Sequence, residues 1–129
     1  MSLKYTMEVM ELLDDPNANG KMVVELFMEF SHVEASYQTV AGDSGSTDFI
    51  KILVKGAEGK SGGGSSPSLG IVGRLGGLGA RPSRIGFVSD GDGAAAAITA
   101  ALKLSLMAEK GDRLPGDVYI TTHICPDAP

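Results

Sequence analysis

The sequence contains no tryptophan and a single cysteine, and only 5% of its 129 residues are aromatic. One cysteine excludes an internal disulfide, which is typical of proteins in the reducing cytosol, so we expect a cytoplasmic location. The core must be built from Val, Ile, Leu, Met and Ala, and the apolar content of 43% is sufficient for one. The length predicts a single domain over residues 1–129, able to bury roughly two-thirds of its unfolded surface.

The sequence also lacks long apolar runs and an excess of positive charge. No apolar stretch reaches the length of about 18 residues that a membrane-spanning helix needs, and the N-terminal residues lack the apolar segment of a signal peptide. The formal net charge is −5, whereas a general nucleic-acid binder needs a basic surface. We therefore expect a small molecule or a peptide as partner, with no nucleic acid and no membrane.

Apolar periodicity predicts helices that alternate with strands. The predicted helices cover residues 3–13, 21–31 and 94–110, and the predicted strands cover residues 32–40, 47–54, 85–88 and 117–122. This interleaving predicts an α/β fold with three layers, in which helices flank a mainly parallel sheet.

Two glycine-rich stretches lie between these elements. Residues 56–67 have the composition of a flexible loop. Gly59-Lys60-Ser61 is similar to the end of a phosphate-binding loop, but that motif needs glycine where Val54 stands. Backbone amides beside Lys60 remain a candidate anion site. In the second stretch, residues 68–82, Arg74 and Arg81 are candidate anion ligands, although such arginines more often cap helices or form ion pairs.

The strongest candidate site lies where the strands 85–88 and 117–122 end. The first strand runs into Ser89-Asp90-Gly91-Asp92-Gly93 and the second into His123-Ile124-Cys125-Pro126-Asp127. If the two strands and the helix between them form a right-handed βαβ unit, both strand ends reach one edge of the sheet, where open α/β sheets bind ligands.

The residues at this edge predict a metal site. Asp90, Asp92, Asp127 and His123 supply carboxylate and imidazole groups, which suit zinc or another divalent metal. The alternative is structural, because Asp90 or Asp92 can also cap the helix that follows.

The run Phe87 to Ala97, the helix after it and Gly116-Asp117-Val118-Tyr119 resemble the core of co-catalytic zinc aminopeptidases of the tetrahedral or deblocking type. The resemblance covers residues 80–127. It implies a zinc-peptidase-like fold in which Asp90 bridges two zinc ions and Asp127 binds one of them. The general-base position of that family falls on Pro126, which cannot accept a proton. If the protein is an enzyme, the resemblance implies a metal-dependent hydrolase with impaired activity.

The segments 12–17, 69–77 and 84–90 resemble an uncharacterised bacterial family, a domain of unknown function distantly similar to these peptidases. This resemblance implies that the chain is a portion of a longer domain and that its sheet is incomplete. An unprotected sheet edge favours pairing with another chain, so we expect a homo-oligomer or a missing partner segment.

Two further functions stay open on the sequence. The pattern Asp90-Gly91-Asp92-Gly93 after an apolar strand also resembles the first motif of haloacid-dehalogenase-type phosphatases, which implies Asp90 as nucleophile, Asp92 as general acid and Mg²⁺ beside them. Ala94 departs from that motif, which has Thr or Val there. The non-enzymatic alternative is a module that binds an anionic small molecule or peptide through Arg74, Arg81 and Lys60.

Overall fold

A computed structural model describes Met7, Val9 and residues 19–42, 45–73 and 92–124. The helices are α1 (Gly20–Glu25) and α2 (Asp92–Glu109), with a short 3-10 turn at Lys60–Gly62, and the strands are β1 (Val33–Gly42), β2 (Gly45–Val54), β3 (Leu69–Val72) and β4 (Val118–Ile124). These elements confirm the α/β class and the strands and helix predicted over 32–40, 47–54, 94–110 and 117–122. The predicted strand 85–88 lies outside the described residues. Met7 and Val9 are helical, as predicted, and the rest of the helix predicted over 3–13 is not described.

The four strands form one sheet in the order β1-β2-β4-β3. The β1/β2 and β2/β4 pairs are antiparallel, and the β3/β4 pair is parallel. The described sheet is therefore mixed, and the prediction of a mainly parallel sheet is corrected for these strands. For β1 and β2 the physical reason is their short separation in sequence. Strands with two residues between them can pair only antiparallel.

The core lies between the two helices and one face of the sheet. On β2 and β4 the residues that point to this face alternate along the strand, as the pleat requires. The buried core residues include Ile50, Ile52, Val118 and Ile120 of the strands, Ile98, Ala101 and Leu102 of α2, and Val9, Val23 and Phe27 from the N-terminal part of the chain. Among the described residues no helix covers the opposite face. Two of the three predicted layers are thus described.

The C-terminal end of α2 is fixed by a Schellman motif. The Asp112 N–H donates to the carbonyl of Met107 at 2.8 Å, and the Gly111 N–H donates to that of Ala108 at 3.0 Å. Gly111 has a φ of 93°, a left-handed conformation that favours glycine. The turn satisfies two terminal carbonyls of the helix and directs the chain back toward the start of β4.

Candidate functional site

Of the predicted βαβ unit, the helix and the second strand are described, as α2 and β4, and the first strand, residues 85–88, lies outside the described residues. β3 and β4 are parallel neighbours, with Leu69 opposite Val118 and Val72 opposite Thr121. α2 packs on β4, and residues 110–117 join the end of α2 to the start of β4, so the N-terminus of α2 lies toward the edge where β4 and the parallel strand β3 finish. Asp92, the first residue of α2, and His123, near the end of β4, are therefore placed at this carboxyl edge.

His123 lies inside β4, whereas the sequence predicted it after the strand. It stands opposite Phe49 of β2, and the centroids of the two rings are 6.0 Å apart. Its neighbour in the strand, Thr122, is buried on the face that α2 covers. Since side chains alternate along a strand, the half-buried imidazole of His123 lies on the opposite face. His123 thus reaches the predicted edge but not the face of the sheet that carries α2.

A buried acid that the sequence analysis missed, Asp48, also lies near this edge. It stands opposite Ile124 of β4, and its side chain is 4% exposed. One carboxylate oxygen accepts a hydrogen bond from the Gly20 N–H at 2.7 Å, and the other accepts from the Thr39 hydroxyl at 2.6 Å. These contacts give Asp48 a structural role, in which it ties the start of α1 to the β1/β2 hairpin.

The described part of the chain contains no cluster of three or more His, Cys, Asp or Glu side chains that could hold a metal ion. Of the predicted metal ligands, Asp90 and Asp127 lie outside the described residues, and Asp92 is described only by its backbone. Arg74 and Arg81, predicted to bind an anion, are also outside. The predictions for these residues therefore stay predictions.

The opposite end of β4 carries a second buried acid, Asp117. Its carboxylate accepts hydrogen bonds from the Gly56 N–H, the Ser61 N–H and the Ser61 hydroxyl, each at 2.9 Å. The Gly56 and Ser61 backbone donors are the main cause that lowers the pKa of Asp117 below its ordinary value, with further help from the Ser61 hydroxyl. Asp117 is therefore held as a carboxylate in the interior, and it fixes the glycine-rich loop.

The loop that binds Asp117 packs closely against its carboxylate. A Cβ atom at Gly59 would lie 1.9 Å from the Asp117 Oδ1 atom, so the close approach requires glycine. The Ser61 amide, beside Lys60, thus binds an internal carboxylate, and the Gly56 and Ser61 amides hold the loop against Asp117. Lys60 is exposed on this loop, which packs beside the start of β4, whereas His123 lies near the end of β4. The two predicted ligands belong to different ends of the sheet.

The sheet face opposite α2 carries two shallow depressions, which the sequence analysis also missed. Their volumes are about 400 and 320 Å³, and Ser36 and Lys51 line both of them. The Lys51 ammonium lies 5.5 Å from the centroid of the Tyr119 ring, within the range of a cation–π interaction. Volumes of this order can receive a small organic molecule. In the sequence, the signal for this face was the set of polar residues that alternate with apolar ones along β1 and β2.

The helices that the structure describes include none that is both long and apolar enough to cross a bilayer.

Comparison with solved structures defines the class of fold. The chain is similar to a mutant of tomato leucine aminopeptidase, with a TM-score of 0.62 and 14% sequence identity; the match covers 99% of this chain and 28% of the aminopeptidase chain. At such low identity the likeness establishes the α/β fold alone. No curated protein matches the sequence.

The sequence family is established separately. The family described as a protein of unknown function, DUF1177, matches residues 38–129, which is most of the chain. The chain belongs to this family. The predicted resemblance to a domain of unknown function is confirmed, and the resemblance to aminopeptidases holds at the level of fold.

Proposed function

We propose that this chain is the metal-binding portion of an aminopeptidase-like protein, with a divalent cation at the carboxyl edge of β3 and β4. The observation that carries the proposal is that α2 packs on β4 and leads into the start of β4, beside the parallel strand β3, because this sets the start of α2 and the end of β4 at one edge. In open α/β sheets ligands bind at such an edge. The fold shared with a leucine aminopeptidase supports the choice of class.

The ligands in this proposal are Asp90, Asp92, Asp127 and His123, and their oxygen and imidazole donors favour zinc. His123 is the weakest member of the set, because its imidazole lies on the face opposite α2. A bound ion of this kind polarises a carbonyl group and lowers the pKa of a bound water. Pro126 stands at the general-base position and supplies no proton acceptor. We therefore expect this chain to bind metal and peptide but to hydrolyse peptide bonds slowly or not at all.

Zinc stoichiometry and affinity test the proposal directly. We expect about one zinc ion or more per chain, measured by elemental analysis of protein purified without chelator and by titration calorimetry. Asp90→Ala and Asp92→Ala should each weaken zinc binding at least roughly tenfold, in line with the loss of a metal ligand. Asp112→Ala is the matched control, because Asp112 is an exposed aspartate just past the other end of α2.

The outcomes separate the alternative functions. A wild-type protein without zinc would return Asp90 and Asp92 to the role of helix caps and overturn the proposal. Hydrolysis of an aryl phosphate that requires Mg²⁺ and Asp90 would favour the phosphatase-like function instead. Metal-independent binding of an anion, lost in Arg74→Ala or Lys60→Ala, would favour the binding module. His123→Ala should reduce zinc affinity less than Asp92→Ala does.

A further inference from the structure

The first strand of the sheet, β1, is a long edge strand with few of the features that usually protect such edges. It has ten residues, contains no Pro, Lys or Arg, and pairs with β2 in a register without a bulge. The side chains of Tyr37 and Val40 are 43% and 49% exposed. Its one charged residue, Glu34, forms an ion pair with Lys55 at 2.6 Å. Sheet edges in soluble proteins are usually short or interrupted by charges, proline or bulges.

The register shows which backbone groups of β1 point away from the sheet. Just before β1, the Lys55 N–H donates to the His32 carbonyl at 2.9 Å. In an antiparallel pair, hydrogen-bonded and non-hydrogen-bonded positions alternate. Even-numbered residues of β1 therefore bond to β2, and odd-numbered residues point their N–H and C=O groups outward. These outward-pointing residues are Val33, Ala35, Tyr37, Thr39 and Ala41. Within the described ranges, β2 is the sole strand that pairs with β1.

We propose that β1 pairs antiparallel with β1 of a second copy of this chain, about a two-fold axis at Tyr37. In this register Tyr37 faces the partner's Tyr37, Ala35 faces the partner's Thr39, and Val33 faces the partner's Ala41. Every outward-pointing residue then meets another outward-pointing residue, and each pair exchanges both backbone hydrogen bonds. None of these residues is proline, so every donor needed for the ladder is present.

The side chains favour a second copy as the occupant of this edge. Glu34 would face the partner's Val40, and Ser36 would face the partner's Gln38, so no like charges are opposed along the strand. The partly exposed Tyr37 rings would meet on the side of the sheet that carries the helices, since Tyr37 lies opposite the buried Ile50. The two four-stranded sheets would then join into one continuous sheet with both cores on the same side.

Sedimentation equilibrium over low to high micromolar concentration tests the pairing. We expect the wild-type chain to dimerise. Tyr37→Lys and Tyr37→Glu should each weaken dimerisation, by roughly fivefold or more, because each places like charges on the two-fold axis. An equimolar mixture of the two variants should recover dimers, because opposite charges then meet on the axis. Met28→Lys and Met28→Glu are the matched controls, since Met28 is 74% exposed and lies outside the strand.

Amide hydrogen exchange on the unmodified chain provides a second test that does not depend on a variant. Raising the protein concentration should slow exchange at Ala35, Tyr37 and Thr39. Exchange at Ser36 and Gln38 should not change, because these amides bond to β2 in the monomer as well.

Three results would overturn the inference. The first is a monomeric wild-type chain, which would leave the edge to an extended peptide of another protein. The second is a dimer that both Tyr37 variants leave intact. The third is a mixture of the two variants that fails to recover dimers. None of these results involves metal, so this inference and the proposed function fail independently.

Discussion

Asp48 and Asp117 are both buried acids that accept hydrogen bonds from the backbone of a distant segment. Asp48 accepts from Gly20, and Asp117 accepts from Gly56 and Ser61. A buried carboxylate is tolerated only when hydrogen bonds replace the water it loses. The two residues show how this chain, with few aromatic side chains, uses polar contacts to fix loops against its sheet.

The pH dependence of stability should report on Asp117. Its donors lower the pKa of Asp117 in the folded chain below the unfolded value. The stabilisation is therefore complete above the unfolded pKa, about 3.9 for aspartate, and is lost as the pH falls through the lower folded value. Asp117→Asn should lower the unfolding temperature at neutral pH, and its difference from wild type should shrink in acid. Thermal unfolding from pH 7 downward measures this, with Asp112→Asn as the exposed control.

Two glycines of the same loop should differ in their response to substitution by alanine. Gly59→Ala would drive a methyl group into the Asp117 carboxylate, whereas a Cβ at Gly62 meets nothing within 4 Å. Gly59→Ala should therefore cost about 1–3 kcal/mol of unfolding free energy, as overpacking does. Gly62→Ala should be close to neutral. Urea unfolding of both variants measures the contrast, and equal losses would show that the loop is not packed on Asp117.

The role of Asp117 could not be predicted from the sequence, although its position could. Residues 117–122 were correctly predicted as a strand, and Asp117 stands immediately before its observed start. Glycine-rich composition favours flexible loops and close backbone contacts equally, because both need a residue without a side chain. Only the packing around Gly59 decides between them.

At the scale of single elements, side-chain periodicity predicted β1, β2, α2 and β4, and it failed for β3. β3 has only four residues, one of which is Gly70, and it lies within the glycine-rich stretch 68–82, for which no strand was predicted. The predicted second helix, 21–31, is a shorter α1 followed by turns. Pairing direction was also missed, because the side chains of a strand point alternately to the two faces whichever way its neighbour runs. The candidate edge with Asp92 and His123 was predicted from the βαβ order, and the face on which His123 lies was not.

The packing of α2 on the sheet gives a prediction at the same scale. Ile98 is fully buried in the core that α2 forms with β2 and β4. Ile98→Ala should lower the unfolding free energy by about 2–5 kcal/mol, and Ile98→Val by about 0.5–1.5 kcal/mol. Urea unfolding checks both values. Lys103→Ala, on the exposed side of the same helix, is the control and should change stability by less than about 0.5 kcal/mol.

At the scale of the whole molecule, metal binding should be coupled to stability. A ligand that binds the folded chain alone stabilises it by about 2.7 kcal/mol at a free concentration one hundred times its dissociation constant. Zinc should therefore raise the unfolding temperature of the wild-type chain, and the rise should be much smaller for Asp92→Ala. Differential scanning calorimetry with and without zinc measures it. An equal rise in both proteins would place the ion elsewhere.

The order β1-β2-β4-β3 has a consequence for the way the chain folds as it leaves the ribosome. The β1/β2 hairpin joins neighbouring segments and can form early. β3 is synthesised next, but its partner is β4, which also covers the free side of β2. Until residue 124 has emerged, β3 has no described strand to join, and α2 has only half of the sheet to cover. Among the described strands, β4 is therefore the one that completes the core.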